Sequence, residues 1–335
     1  MIFNKLNSGA DEAKELLGFI YSSNNFDNMI TYVNIAEKDM KRTIGPEVFK
    51  LAEDHYKSDN YKLASPSPQQ ALLDELVKHI QLPVLLHAYR RYAPLNDLSH
   101  SESGRNITVT EQLKPAFEWM LERDNKSLLD LAHETTELLI TFLDDQVKID
   151  EATANEIEDT WRSSTTFAAQ KDLFINSVLE FDNIFPIAAS RRLFLVLVPF
   201  IREMEFKHIR PVITSDRYNL IRELIKDGDL DKSGNEVSYE IHRLSKVPIA
   251  LFTISIALKR LSVELLPDSV VQSFNALDVK QSRTADSSTR NALSALLERD
   301  ALRELVALQN YITSLLPVVE VIEETFDTTT PFSMF

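Results

Sequence analysis

The sequence predicts an all-α protein built as two tandem, related helical bundles. Three observations predict it. Apolar residues recur at three- and four-residue steps along most of the chain, only six of 335 residues are glycine, and short motifs return in the same order in the second half. Apolar residues so spaced line one face of a helix. A chain poor in glycine lacks the residue that tight turns and close backbone approach to a phosphate require. The length suits two compact domains, and 44% hydrophobic residues suffice to fill their cores.

The elements follow in order. Phe26, Met29, Ile30, Val33, Ala36, Met40 and Ile44 form a first apolar face. Leu72, Leu73, Leu76, Val77, Ile80, Val84, Leu85, Ala88 and Tyr89 form a second, with Pro83 inside it predicting a kink or break. Phe117, Met120, Leu121, Leu128, Leu131, Ala132, Leu138, Leu139 and Phe142 mark a long third helix.

The second half repeats this order. Ile44-Gly45-Pro46 matches Ile213-Thr214-Ser215, Leu82-Pro83-Val84 matches Val247-Pro248-Ile249, and Leu121-Glu122-Arg123-Asp124 matches Leu297-Glu298-Arg299-Asp300, at registers of 169, 165 and 176 residues. Collinear matches with drifting registers are what duplication followed by loop insertion produces. Thr214 stands where the first half has Gly45, so that turn is expected to differ. The polar, acidic run near residues 145–165 predicts the linker, giving domains 1–155 and 156–335, the second with an extended tail.

Polar stretches from Leu95 to Lys114 and from Pro267 to Arg290 fall at corresponding places. Connections this long in compact domains are usually functional or disordered. Asn96, Asp97, Ser99, His100, Arg105, Arg283 and Arg290 are therefore candidate contacts to a neighbour. The end of the sequence is polar and proline-broken but holds Phe332, Met334 and Phe335, which suit a tail that orders on a partner.

The net charge is −15, divided −9 and −6 between residues 1–155 and 156–335. No basic stripe exists of the kind that displaces counterions from DNA, whereas an acidic wall lets a duplex slide past. Cysteine is absent, which excludes disulfides and thiolate metal sites. No signal peptide is expected, and the longest apolar run, Leu193 to Ile201, is far short of the roughly 20 residues a bilayer requires.

No dinucleotide, P-loop or nucleophile-elbow motif occurs, so no enzyme is predicted and no catalytic residue assigned. His133-Glu134 begins a zinc-protease pattern, but Glu137 replaces its second histidine. Asp229, Asp231, Ser233, Gly234 and Glu240 match calcium-loop spacing, although Glu236 stands where such loops carry an apolar residue and the first half has no partner loop. The same residues suit a polar turn that ends one helix and caps the next. Calcium is the only cofactor the sequence raises.

Ile35-Ala36-Glu37-Lys38, Ile44-Gly45, Leu82 to Pro94, Asn96 to His100, Ser103-Gly104-Arg105, Phe117 to Met120, Ser190 to Phe194 and His208 to Val212 resemble an uncharacterised family from phages and prophages of Bacteroidetes. The helix order is in turn similar to head–tail connector, or adaptor, proteins of tailed phages. The resemblance implies a virion structural protein at the neck, assembled in the bacterial cytoplasm as a homo-oligomeric ring between portal and tail proteins. It implies no catalysis, no membrane, and DNA only passing through the lumen. The doubled chain departs from the simple connector. The alternative is a cytoplasmic helical scaffold that binds proteins, tuned by calcium.

Overall fold

The computed structural model describes residues 1–18, 26–97, 99–101, 104–106, 117–147, 155–261 and 287–315, and in these the protein is all-α apart from one small hairpin. The first half comprises α1 (Gly9–Leu17), α2 (Ile30–Ile44), α3 (Pro46–Lys57), α4 (Pro68–Asn96) and α5 (Glu118–Gln146). Between α4 and α5 lies the hairpin, β1 (Ser99–Ser101) paired antiparallel with β2 (Gly104–Asn106). Short helices α6 (Glu156–Ser163), α7 (Thr165–Lys171) and α8 (Val178–Ile184) lead into the second half. There α9 (Arg191–Met204), a π-turn at Glu205–Ile209 and α10 (Arg210–Ile213) form one nearly continuous rod, followed by α11 (Ser215–Asp227), α12 (Glu236–Arg260) and α13 (Ser287–Ser314).

Local chemistry starts these helices where they start. Ser67 and Gln70 form a reciprocal capping box ahead of Pro68, and Pro is tolerated at the first turn because its missing N–H would have no partner there. Asn155, Ser164 and Ser190 each accept hydrogen bonds from the first turns of α6, α7 and α9.

Two hydrophobic cores result. In the first, α4 lies between α2 and α3 on one side and α5 on the other; in the second, α12 lies against α9 and α13. α4 runs unbroken through Pro83, against the expected break, and α12 runs through Pro248. Pro83 and Pro248 are both buried, and the dense apolar packing around them offsets the missing backbone hydrogen bond. α12 is long and apolar enough to cross a membrane by length and composition, yet 67% of its apolar window is buried inside the protein, as a core helix requires.

Several positions coincide between the cores. Gly45 has φ 89°, ψ 143° and Thr214 φ 73°, ψ 155°, so the turn that was expected to differ has the same backbone in both halves. Leu128, Ala132 and Leu139 are buried on α5, and Leu297, Ala301 and Leu308, each 169 residues on, are buried on α13. This is the register of Gly45 and Thr214. The Leu-Glu-Arg-Asp match at 176 residues is two turns out of step: Leu297 is in the core while Leu121 is 39% exposed.

Each core also clamps one residue outside the helices by both backbone groups. Ile2 donates its N–H to the buried carboxylate of Glu37 (2.8 Å) and accepts from Gln81 Nε2 (2.6 Å). Phe174 donates to the buried Glu205 (2.7 Å) and accepts from His242 Nε2 (2.7 Å). Glu37 precedes Gly45 by eight residues and Glu205 precedes Thr214 by nine, and the π-turn absorbs the extra residue.

The first core extends past residue 155. Ile157 and Trp161 are fully buried in the first core, Phe167 packs on it, and the second core begins at Leu173. The acidic run concealed an amphipathic turn whose two large apolar residues fill the first core, so the change of core falls within α7. The start of α5 also departs from expectation, because Phe117, Met120 and Leu121 lie on no core.

Candidate functional site

The richest polar constellation lies on the seam between the cores. Glu137, Thr141 and Asp144 stand at i, i+4 and i+7 on α5 and share a face. They meet the first turn of α9. Glu137 accepts from the backbone N–H of Arg191 (2.6 Å) and Arg192 (2.9 Å) and from the Ser190 hydroxyl (3.1 Å). A carboxylate here satisfies N–H groups that have no intrahelical partner and favours the positive end of the helix dipole. Arg191 Nε donates to Asp144 Oδ2 (3.1 Å) and its Nη1 to Thr141 Oγ1 (3.2 Å), while Trp161 Nε1 donates to Asp144 Oδ1 (3.1 Å). Burial raises the Asp144 pKa, opposed by these donors. Glu137, which spoils the zinc motif, thus caps a helix of the opposite core.

Beside the clamp a cleft of about 360 Å³ opens between α2, α4, α5, α7 and α9. His87 and His133 stand together in it, ring centroids 6.1 Å apart. Burial pushes both down to about 4, helped by neighbouring arginines, so both are neutral near pH 7. Arg192 is half-buried in the wall, and its guanidinium makes no hydrogen bond among the described residues. Arg91 and Arg42 share the cleft's one carboxylate, Asp39, at 2.6 Å and 3.6 Å.

The other histidines serve packing or pairing. His55 bonds Asp74 (2.8 Å), His79 stacks on Phe142, His208 stacks on Phe252, and His242 holds Phe174. Among the described residues no three His, Asp or Glu gather in a way that could hold a metal ion. In the calcium-like segment, Lys232 pairs with Asp229, Arg243 grips Glu240 at 2.5 and 2.8 Å, and Gly234 N–H donates to Glu236 (3.0 Å). Asp231 and Ser233 are exposed in the turn between α11 and α12.

The proposed contact residues scatter. Asn96 ends α4 and accepts from Tyr92 (2.8 Å), and Asp97 closes that helix. Ser99 lies on β1, and His100 pairs in register with Arg105 across the hairpin. Arg290 belongs to the first turn of α13 rather than to a loop, because the helix begins at Ser287. Arg283, Phe332, Met334 and Phe335 lie outside the described residues.

The seam was not anticipated. Its signal was present in the aligned Glu137, Thr141 and Asp144, but their partners lie about 50 residues away and only the fold joins them. Compared with protein-family models, curated proteins and solved structures, the chain matches none.

Proposed function

We propose that the protein is a structural subunit that assembles with copies of itself, as a connector or adaptor ring at the neck of a phage or phage-derived particle. The observation that carries the reading is the start of α5. Phe117, Trp119, Met120 and Leu121 are 67, 58, 42 and 39% exposed, and the helix buries nothing before Leu128. Two turns of helix bearing four large apolar side chains beyond the core are poorly stable in water and mark a contact surface. The chain's charge of −15 repels acidic partners, and this arm carries Glu118, Glu122 and Asp124 beside Arg123. The arm's own charge is −2, so a contact between copies there rests on its apolar side chains.

The seam supports a closed assembly over an irregular one. Subunits whose two cores are held at one angle repeat the same rotation at each contact, and a repeated rotation that closes makes a ring. The resemblance supplies the particle and the adjoining portal and tail proteins, and the acidic composition suits a lumen through which DNA passes. The two related bundles and their shared turn at Gly45 and Thr214 fit a connector that has been doubled.

Negative-stain microscopy and mass photometry of the full chain test this reading. The expected result is a closed ring of uniform copy number. Trp119→Ser combined with Leu121→Ser is expected to give monomers with unchanged helical circular dichroism. A native protein that stays monomeric at its highest soluble concentration overturns it.

A further inference from the structure

We propose that the cleft on the seam is a binding site for a small phosphomonoester, its phosphoryl group held by Arg192 and Arg91 beside His87 and His133.

The argument begins with charge. In a chain of net charge −15, this cleft gathers Arg42, Arg91 and Arg192 against a single carboxylate, Asp39. Two of the arginines already pair with that carboxylate, whereas Arg192 forms no salt bridge among the described residues and feels the charge of Glu137 without bonding to it. Burial outweighs that attraction and lowers the Arg192 pKa, so the hydration its half-buried guanidinium loses is only partly offset. Its backbone N–H is taken by Glu137, but Glu137 accepts no bond from its side chain. The fold therefore holds in place a planar fork of donors that nothing in the described protein fills.

Geometry adds the ligand class. A guanidinium fork matches the oxygens of a phosphate two at a time. The two neutral imidazoles can each donate one further hydrogen bond without adding charge. The three arginines outnumber the nearby carboxylates, Asp39 and Glu137, by one, and that surplus draws an anion to the site. The volume, about 360 Å³, lies within the range of small-molecule sites, roughly 300–1,000 Å³. It leaves room beyond the phosphoryl group, where Met40, Leu195 and Val196 offer an apolar wall to an organic remainder. This favours an ester over free phosphate.

The site joins both cores, since Arg91, His87 and His133 belong to the first and Arg192 to the second. A bound ligand would strengthen the seam, and it would do so whether or not the chain forms rings.

Thermal melting of the full chain, with calorimetry, tests the proposal using glycerol 2-phosphate, inorganic phosphate and sodium chloride at matched ionic strength. Glycerol 2-phosphate near saturation is expected to raise the melting temperature by about 2–4 °C, and chloride is not. Arg192→Leu is expected to melt no lower than the native chain without ligand and to lose the shift. If Arg192→Leu does not fold, Arg91→Gln, at the exposed mouth, is expected to weaken calorimetric affinity at least tenfold. An equal shift with chloride, a shift retained in Arg192→Leu, affinity unchanged in Arg91→Gln, or no response to either phosphate overturns the site. A response to inorganic phosphate alone overturns the ester in favour of the free ion.

Discussion

Ile2 in the first core and Phe174 in the second are held by the same device built from different groups. Each gives its N–H to a buried glutamate, Glu37 or Glu205, and takes a side-chain donor on its carbonyl, from Gln81 or His242. The surroundings of the carboxylates differ. The Met1 amino group stands 3.7 Å from Glu37. Glu205 forms no salt bridge among the described residues, although the charges of Arg202 and Arg222 reach it; it accepts from the Tyr218 hydroxyl at 3.1 Å and is fully buried beside the π-turn. Burial pushes Glu205 up to about 7, the bonds from Phe174 and Tyr218 opposing the shift. One hydrogen-bond pattern thus serves a carboxylate beside the Met1 amino group in one core and a carboxylate whose burial outweighs its cations and donors in the other.

The largest expected effects break this comparison directly. Glu205→Ala leaves the Phe174 N–H and the Tyr218 hydroxyl without their acceptor in a buried place, which is expected to cost about 3–5 kcal/mol in chemical denaturation. Glu37→Ala orphans one N–H and is expected to cost less, about 1–3 kcal/mol. The pH dependence separates the cores further. The folded-state pKa of Glu205, about 7, lies above its ordinary value of 4.5, so between these the unfolded chain releases a proton that the folded chain keeps. Stability from this group is full below pH 4.5 and is lost as pH rises through 7, by about 3 kcal/mol. Glu205→Gln keeps an acceptor for Phe174 and removes that loss, so it is expected to be more stable than the native chain at pH 8. His87, His133 and His242, each pushed down to about 4 by burial, add stability as pH rises over the same range, so the difference between the native chain and Glu205→Gln isolates this group, and a difference that stays constant between pH 4.5 and 8 would contradict it.

A middle-sized effect sharpens the comparison at the shared turn. Thr214 carries a Cβ at φ 73°, which costs an L-residue roughly 1–2 kcal/mol, so Thr214→Gly is expected to stabilise by about 1 kcal/mol. Gly45→Ala is expected to destabilise by more than that. Its φ is 89°, and its Cβ would lie 3.0 Å from Glu47 Oε2 and 3.1 Å from Ser164 Cβ. Equal and opposite changes would mean that backbone strain alone distinguishes the halves. The expected excess at Gly45 reports the contact with α7.

The seam is the next test, because it joins the compared cores. Glu137→Ala removes three hydrogen bonds from the start of α9, and a cost of about 2 kcal/mol is expected. If α5 and α9 melt together in the native chain, hydrogen exchange should show them separating in the variant.

What the sequence disclosed follows from the range of each interaction. The apolar faces of α2 and α4 were legible because helix periodicity is local, and their residues are buried as the spacing requires. Glu37 sits four residues after Val33 and Glu205 four after Ile201, each a carboxylate on an apolar face. Those spacings were a readable sign of a buried acceptor, although not of what it accepts. The third motif was misregistered by two turns because leucine and charge recur along any amphipathic helix, whereas burial falls on Leu297 and Ala301 as it does on Leu128 and Ala132. The cleft was illegible: His87, His133 and Arg192 come from three helices, and no local spacing joins them.

The smallest expected effect concerns the one loop for which the halves offer no counterpart. Between α3 and α4 the first half has a polar turn closed by the Ser67 capping box, whereas between α11 and α12 the second has the calcium-like segment. Its oxygens are engaged otherwise. Arg243 holds both oxygens of Glu240, Lys232 holds Asp229, and the Asp229 carbonyl accepts from Asn235 Nδ2 at 2.8 Å. A calcium ion would have to displace both cations and draw Glu240, fixed within α12, toward a turn that bends at Gly228 and Gly234, with φ 71° and 99°. Millimolar calcium is therefore expected to leave the melting temperature unchanged, and Glu240→Gln to alter stability by less than about 0.5 kcal/mol, as exposed substitutions do. Arg243→Ala is the sharper variant, since it frees Glu240 without removing a ligand. If that variant alone gains a calcium-dependent rise in melting temperature, the arginine is what masks a metal loop. If neither protein responds, the segment is a polar turn that ends one helix and begins the next, as the longer turn between α3 and α4 does in the first core.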